Sequence, residues 1–319
     1  MNQRTADRQE YPLEPKRSLD LMAAALLVIL CASWGFQQVT IKVANQGVSP
    51  VLQAGIRSVG AAVLIGIWML CRRQPFLKKD GTLWWGLAVG VIFAAEFMLI
   101  YWGLVFTTAS RAVIFLYTMP FWTALGAQLF LPGERLVRMQ VAGLCCAFAG
   151  IFAVFGESLV LPTRRILIGD IMLLAAALLW AAATILIKAG PLCRIQPAKT
   201  LLYQIGVSAL LLPLGSAAMG EPGIFRLDPL ILACLLYQVI WVAFITYLTW
   251  FWLILRYPAP RLAGFLFLTP LFGVISGAVF LHEPLTSGLL TALALVAVGI
   301  YLVNRPAAVQ KDSGTCRIE

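Results

Sequence analysis

Long apolar runs separated by short polar breaks dominate this chain. The stretches LMAAALLVILCASWGF (21–36) and GLLTALALVAVGIYLV (288–303) contain no charged residue. Neither alternates apolar with polar positions, as barrel strands of ~10 residues would. Both are apolar on every side, the pattern of a helix of roughly 20 residues crossing hydrocarbon. A helix satisfies its own backbone polar groups in lipid, which an open strand cannot. Ten such runs are predicted, at roughly residues 20–44, 50–71, 83–105, 111–131, 137–155, 167–188, 199–219, 229–254, 259–280 and 285–304. Proline or glycine punctuates most of the breaks, as with Pro50, Gly81, Pro191 and Pro258.

Composition excludes a soluble domain. The 319 residues are 61% hydrophobic and 12% charged, about half the charge of an ordinary globular protein. The first run is longer than a signal-peptide core of ~7–15 residues and is expected to be retained as a span. Seven cysteines with no CxxC pair predict neither a disulfide framework nor a zinc site. A single histidine, His282, excludes a His-rich metal centre. The net charge of +10 could point to nucleic acid, but the basic residues lie in the breaks. With the N-terminus placed inside, 18 of the 24 Lys and Arg face the cytoplasm, so both termini are expected there.

The chain also repeats itself. RAVIFLYTMPFWTALGAQLFLPGERL (111–136) overlays RLAGFLFLTPLFGVISGAVFLHEPL (261–285). Arg111, Phe115, Leu116 and Pro120 match Arg261, Phe265, Leu266 and Pro270, and Glu134 matches Glu283. Trp34 and Lys42 match Trp180 and Lys188, and Gly150 matches Gly299. A repeat of this length holds five spans. Five is odd, so the second copy enters the membrane from the opposite side, an arrangement recurrent in transporters. The expected fold is an all-α integral membrane protein of ten transmembrane helices in two inverted five-helix repeats. The organisation is a cytoplasmic N-terminal segment (1–19), a first repeat (20–155), a linker (156–166), a second repeat (167–305) and a cytoplasmic tail (306–319).

The stretch TTASRAVIFLYTMPFWTALGAQLFLPGERL resembles the fourth-span signature of the drug/metabolite transporter superfamily, in its EamA-like ten-span branch. LTPLFGVISGAVFLHEPL resembles the ninth-span copy, with His-Glu-Pro-Leu in place of Gly-Glu-Arg-Leu. SWGFQQVTIKVA and LLWAAATILIKAG resemble the first and sixth spans. The resemblance covers roughly residues 20–305. It implies a bacterial inner-membrane transporter and, from its best-known members, export of amino acids, other metabolites or drugs.

Glu96 is the sharpest candidate residue. Of fourteen acids it alone stands mid-span, in VIFAAEFMLIYWG. A charge there costs at least ~2.5–3.5 kcal/mol, so the carboxyl is expected to face a cavity or a partner. It could carry a coupling proton, or serve as a structural group between helices. Gln38 and Gln238 are candidate substrate ligands, whereas Gln37, Gln53 and Gln204 read as hydrogen-bonding glue between helices. Among the mid-span aromatics, Tyr101, Tyr117 and Trp241 are candidates to line a cavity with apolar bodies and polar tips. Pro120 and Pro270 should kink their helices at equivalent places and are candidate hinges. Arg57 either snorkels to the interface or binds a substrate carboxylate. Lys42 and Lys188 are expected to snorkel, and Glu134 and Glu283 to cap helices or form ion pairs beside a gate.

No Walker A motif or clustered nucleophile and base is present, so no nucleotide cofactor or enzymatic chemistry is expected. The expectation is a secondary transporter without cofactor or metal. Its partners would be a small-molecule substrate, membrane lipid and a coupling proton, with no nucleic acid. The alternatives are a drug or metabolite permease, an uncoupled facilitator or channel, and a membrane-embedded enzyme.

Overall fold

The computed structural model describes residues 18–74, 80–107, 109–132, 134, 136–155, 163–281 and 289–305. His282, Glu283, most of the N-terminal segment and of the interdomain linker, and the tail lie outside them, as does the side chain of Arg111. All regular structure among the described residues is helical. The helices are α1 (Leu21–Ala44), α2 (Pro50–Cys71), α3 (Leu83–Phe106), α4 (Ala109–Leu116), α5 (Met119–Phe130), α6 (Arg138–Phe155), α7 (Arg164–Ala189), α8 (Pro197–Ala218), α9 (Pro229–Leu236), α10 (Tyr247–Arg256), α11 (Ala259–Phe265), α12 (Leu268–Leu281) and α13 (Leu289–Asn304). A π-helical segment, Tyr237–Thr246, joins α9 to α10.

Among the described residues, seven helical segments are long and apolar enough to cross a membrane, α9 through α10 and α11 with α12 each counting as one, and three shorter apolar segments accompany them. The surface is apolar: Leu70, Ile171, Leu214 and Val279 each expose more than half of their area. A soluble monomer rarely shows apolar patches on this scale. Lipid supplies the missing contact, so the protein is a multi-pass membrane protein.

Local sequence sets the helix ends. Asp20 and Asp228 accept hydrogen bonds from the Ala23 and Ile231 amides, capping α1 and α9. Proline opens α2, α8 and α9 in the first turn, where no donor is needed. Glu221, in the loop after α8, accepts from the Val51 and Leu52 amides at the start of α2 (3.0 Å each) and so joins the two halves of the chain.

The matched prolines do more than kink. The α4 helix stops at Leu116, and Tyr117 and Thr118 form a turn before α5. The α11 helix stops at Phe265, and Leu266 and Phe267 form the equivalent turn before α12. A proline ring collides with the carbonyl four residues earlier. For Pro120 and Pro270 those carbonyls belong to Leu116 and Leu266. Each proline therefore opens a second helix rather than bending a first.

Packing repeats about a two-fold relation between the halves. The α2 helix lies on its counterpart α8, and α6 lies on its counterpart α13. The α1–α12 contact has its mate in α7–α5, and α3–α7 has its mate in the packing of α9 and the π segment on α1. Between α6 and α13 the backbones touch. A Cβ on Gly143 would lie 2.7 Å from the Gly299 carbonyl oxygen, and one on Gly299 would lie 2.6 Å from that of Gly143. Gly299→Val should therefore destabilise the fold by about 1–3 kcal/mol. The check is the melting temperature of the purified variant in detergent; an unchanged value would mean that the contact can open without cost.

Five of the described cysteines are free thiols.

Candidate functional site

Between the halves lies a cavity of about 160 Å³. A single water needs only ~10–15 Å³, so one small organic molecule has room here. Trp34, Gln37, Gln38 and Ile41 form its wall on α1. Trp180, Ala183, Thr184 and Ile187 form its wall on α7. Both sets follow the spacing i, i+3, i+4, i+7 of one helix face. They are also the same four positions of the two repeats.

The symmetry ends with the chemistry. Gln37 and Gln38 stand where the second half has Ala183 and Thr184. The α3 helix adds Glu96 and Tyr101, and α8 adds Gln204. The α10 helix adds Trp250, Phe251 and Ile254. The α1, α3 and α8 helices thus bring amides and a carboxyl to the cavity, while the α10 residues Trp250, Phe251 and Ile254 are apolar or aromatic. The breaks before Pro120 and Pro270 bring Tyr117 and Thr269 to the cavity.

Gln38, Glu96, Tyr101 and Tyr117 are four of the expected site residues, and the fold brings them together on this cavity. Glu96 is 4% exposed, and its carboxyl forms no hydrogen bond or ion pair with a described residue. Gln238 and Trp241 do not join them. Gln238 is fully buried away from the cavity, with no partner for either amide atom among the described residues. Trp241 is 39% exposed on the outer surface and donates to Ser33 Oγ at 2.9 Å. Both lie in the π segment, where i→i+5 bonding abandons the 3.6-residue period on which a facing prediction rests. Tyr247, just beyond that segment, reaches the cavity instead.

Two further expectations need correction, and one of the two alternatives for Arg57 falls. Gln37 and Gln204, read as glue, line the cavity; the matched faces of α1 and α7 were the signal for Gln37. Arg57 does not snorkel, being 1% exposed. Lys188 does not snorkel either. Its Nζ lies 2.7 Å from Glu134 Oε1 and donates to the carbonyls of Ile254 (3.1 Å) and Tyr257 (2.7 Å).

Comparison with known proteins places this geometry. The chain matches the EamA-like transporter family twice, over residues 21–156 and 167–305. It belongs to that family. A probable amino-acid metabolite efflux pump of Salmonella typhimurium is 31% identical over 290 residues, covering 87% of this chain and 92% of the relative. Its counterpart in Escherichia coli is 30% identical with the same coverage. An uncharacterized transporter of Bacillus subtilis, YvbV, is 26% identical over 90% of this chain and 93% of its own. A solved crystal structure shares the fold with a TM-score of 0.77 at 19% identity, covering 90% of this chain and 96% of the other. The protein is a transporter and not an enzyme.

In this EamA-like transporter a clasp of polar contacts lies beside one end of the cavity. Ile187 and Ile254 line the cavity, while Lys188 and the Ile254 carbonyl belong to the clasp just beyond it. Glu134 Oε2 also accepts from the Ala259 amide at 2.8 Å, where α11 begins. Tyr257 donates to Asp20 Oδ2 at 2.9 Å, at the start of α1. The clasp therefore joins elements from α1, α5, α7, α10 and α11.

Proposed function

We propose that this transporter is a secondary exporter of a small amphipathic metabolite, such as an amino acid, in the bacterial inner membrane. Alternating access would occur between two inverted repeats that cross the membrane ten times, with both termini cytoplasmic. The repeats would be 20–155 and 167–305, with the linker at 156–166 and polar ends at 1–19 and 306–319. The observation that carries the reading is the cavity between the halves, walled by the same four positions of α1 and α7. A site on the relation that exchanges the halves can open to either side when the halves exchange conformations. The odd number of apolar segments per half supports the inversion, and the 18-to-6 distribution of basic residues supports the orientation. The two enterobacterial relatives, named as probable amino-acid metabolite efflux pumps, support the substrate class and the direction.

In this reading Gln38, Tyr101 and Tyr117 give the substrate polar contacts, and Glu96 exchanges a coupling proton. The helix breaks at Pro120 and Pro270 are the hinges. The amide-bearing wall would take a polar head group and the α10 wall an apolar side chain.

Purified protein in liposomes, offered a panel of radiolabelled amino acids with and without an imposed pH gradient, tests this. The expected result is saturable uptake that rises with the gradient. Uptake no greater than in protein-free liposomes for the whole panel would remove the amino-acid reading.

A further inference from the structure

Arg57 is the least explained charge in the molecule. It sits in α2, 1% exposed, and none of its three side-chain nitrogens has a hydrogen-bond partner among the described residues. Lys188 and Lys199 contrast with it: Lys188 has Glu134 and two carbonyls, and Lys199 has Asp80 at 2.6 Å. A guanidinium carries five donors and stays charged. Leaving them empty in a dry interior is costly.

Two rings cover it. The guanidinium carbon lies 4.2 Å from the ring centroid of Phe97 and 5.8 Å from that of Tyr247. Such stacking is worth up to about 2 kcal/mol when desolvated, but it satisfies no N–H donor. The Tyr247 hydroxyl is a near polar group, and even a bond to it would leave most of the five donors empty. Both rings line the cavity on their other side, and Glu96 beside them is within electrostatic reach of the guanidinium.

Register places Arg57 toward the same space. It stands seven residues after Pro50, which opens α2. Gln204 stands seven residues after Pro197, which opens the counterpart α8, and Gln204 lines the cavity. Tyr247 follows directly on the π segment, a winding frequent at functional sites. The covering ring is therefore mounted on the element best able to shift it.

We propose that Arg57 is an anion-binding residue of the transport cavity, uncovered when the Phe97 and Tyr247 rings move aside, and that it selects solutes bearing a carboxylate. A planar carboxylate offers the guanidinium two parallel bonds. Glu96, which lines the cavity, receives the cationic group of such a solute. The inference rests on the transporter reading above and gives that site its specificity.

The test is calorimetric titration of the full-length protein in lipid nanodiscs, wild type beside Arg57→Gln and Arg57→Lys. Phenylalanine is paired with phenethylamine, and leucine with isoamylamine; each pair differs by one carboxylate. The wild type should bind the carboxylate-bearing member at least about tenfold more tightly, as for a hydrogen bond to a charged group. Arg57→Gln should bring the pair within about threefold of each other while leaving amine affinity within about threefold of wild type. Arg57→Lys, which keeps the charge but loses the fork, should retain part of the preference. Equal weakening of both members in Arg57→Gln, a wild-type preference for the amine, or no binding of either carboxylate would overturn the proposal. Saturable uptake of the amines in liposomes under any of these outcomes would leave the transporter reading standing, so the two failures are separable.

Discussion

Replacing Glu96 with Gln should leave the protein folded and reduce gradient-driven uptake by at least about tenfold, the scale of one lost interaction with a charged group. Glutamine keeps the size of the side chain and gives up its proton exchange. The chain retains an acid at mid-span despite an insertion cost of at least ~2.5–3.5 kcal/mol, and the fold does not use it to pair with another residue. Its carboxyl faces a cavity between the halves. Two assays on the same variant separate the roles open to it. Exchange of substrate across liposomes at equal pH needs binding but no net proton movement. Retained exchange with lost gradient-driven uptake means that Glu96 carries the proton. Loss of both means that it also holds the substrate. Wild-type behaviour in both assays would make Glu96 structural.

How much of this was legible in the sequence depends on which physical signal each feature leaves. The helical segments were legible because lipid leaves the backbone no alternative, so apolar runs mark them directly. The repeat was legible at Arg111 and Arg261 and at Pro120 and Pro270, since both copies keep the residues that end or break helices. The breaks at Tyr117–Thr118 and Leu266–Phe267 were visible only as kinks, because a sequence shows the proline but not whether the helix resumes in line. Gln38, Glu96, Tyr101 and Tyr117, which line the cavity, were singled out from polarity at mid-span. Gln238 and Trp241 carry the same polarity but lie in a π-helical segment that no proline or glycine announces. Lys188 was misplaced, and Arg57 left between two readings, for a different reason. Snorkelling is the default for a basic residue near a span end, and partners distant in sequence decide when it fails.

Breaking the Lys188–Glu134 pair should open the cavity toward the end at which it lies. Four helix ends meet this pair, through the Glu134 carboxylate on the α11 amide and Lys188 on the last carbonyls of α10. The side chains are 11% and 18% exposed, so solvent screens them only in part. If these contacts exist only while this end is closed, their loss biases the transporter toward the state open there. A shift of about 1.4 kcal/mol in that equilibrium is a tenfold change in population. Thr184, one turn deeper on α7, lines the cavity and reports on access. In a background without its native exposed thiols, Thr184→Cys should react slowly with an impermeant maleimide from the Lys188 side. Adding Lys188→Met or Glu134→Gln should raise that rate by at least about tenfold and slow labelling from the opposite side, because one cavity serves both openings. A rate that rises from both sides would mean that the fold has loosened, not that a gate has shifted. An unchanged rate from the Lys188 side would mean that the apolar contacts around Ile187, Trp250 and Ile254 hold this end closed by themselves, and that the ion pair only shapes the turn between α10 and α11.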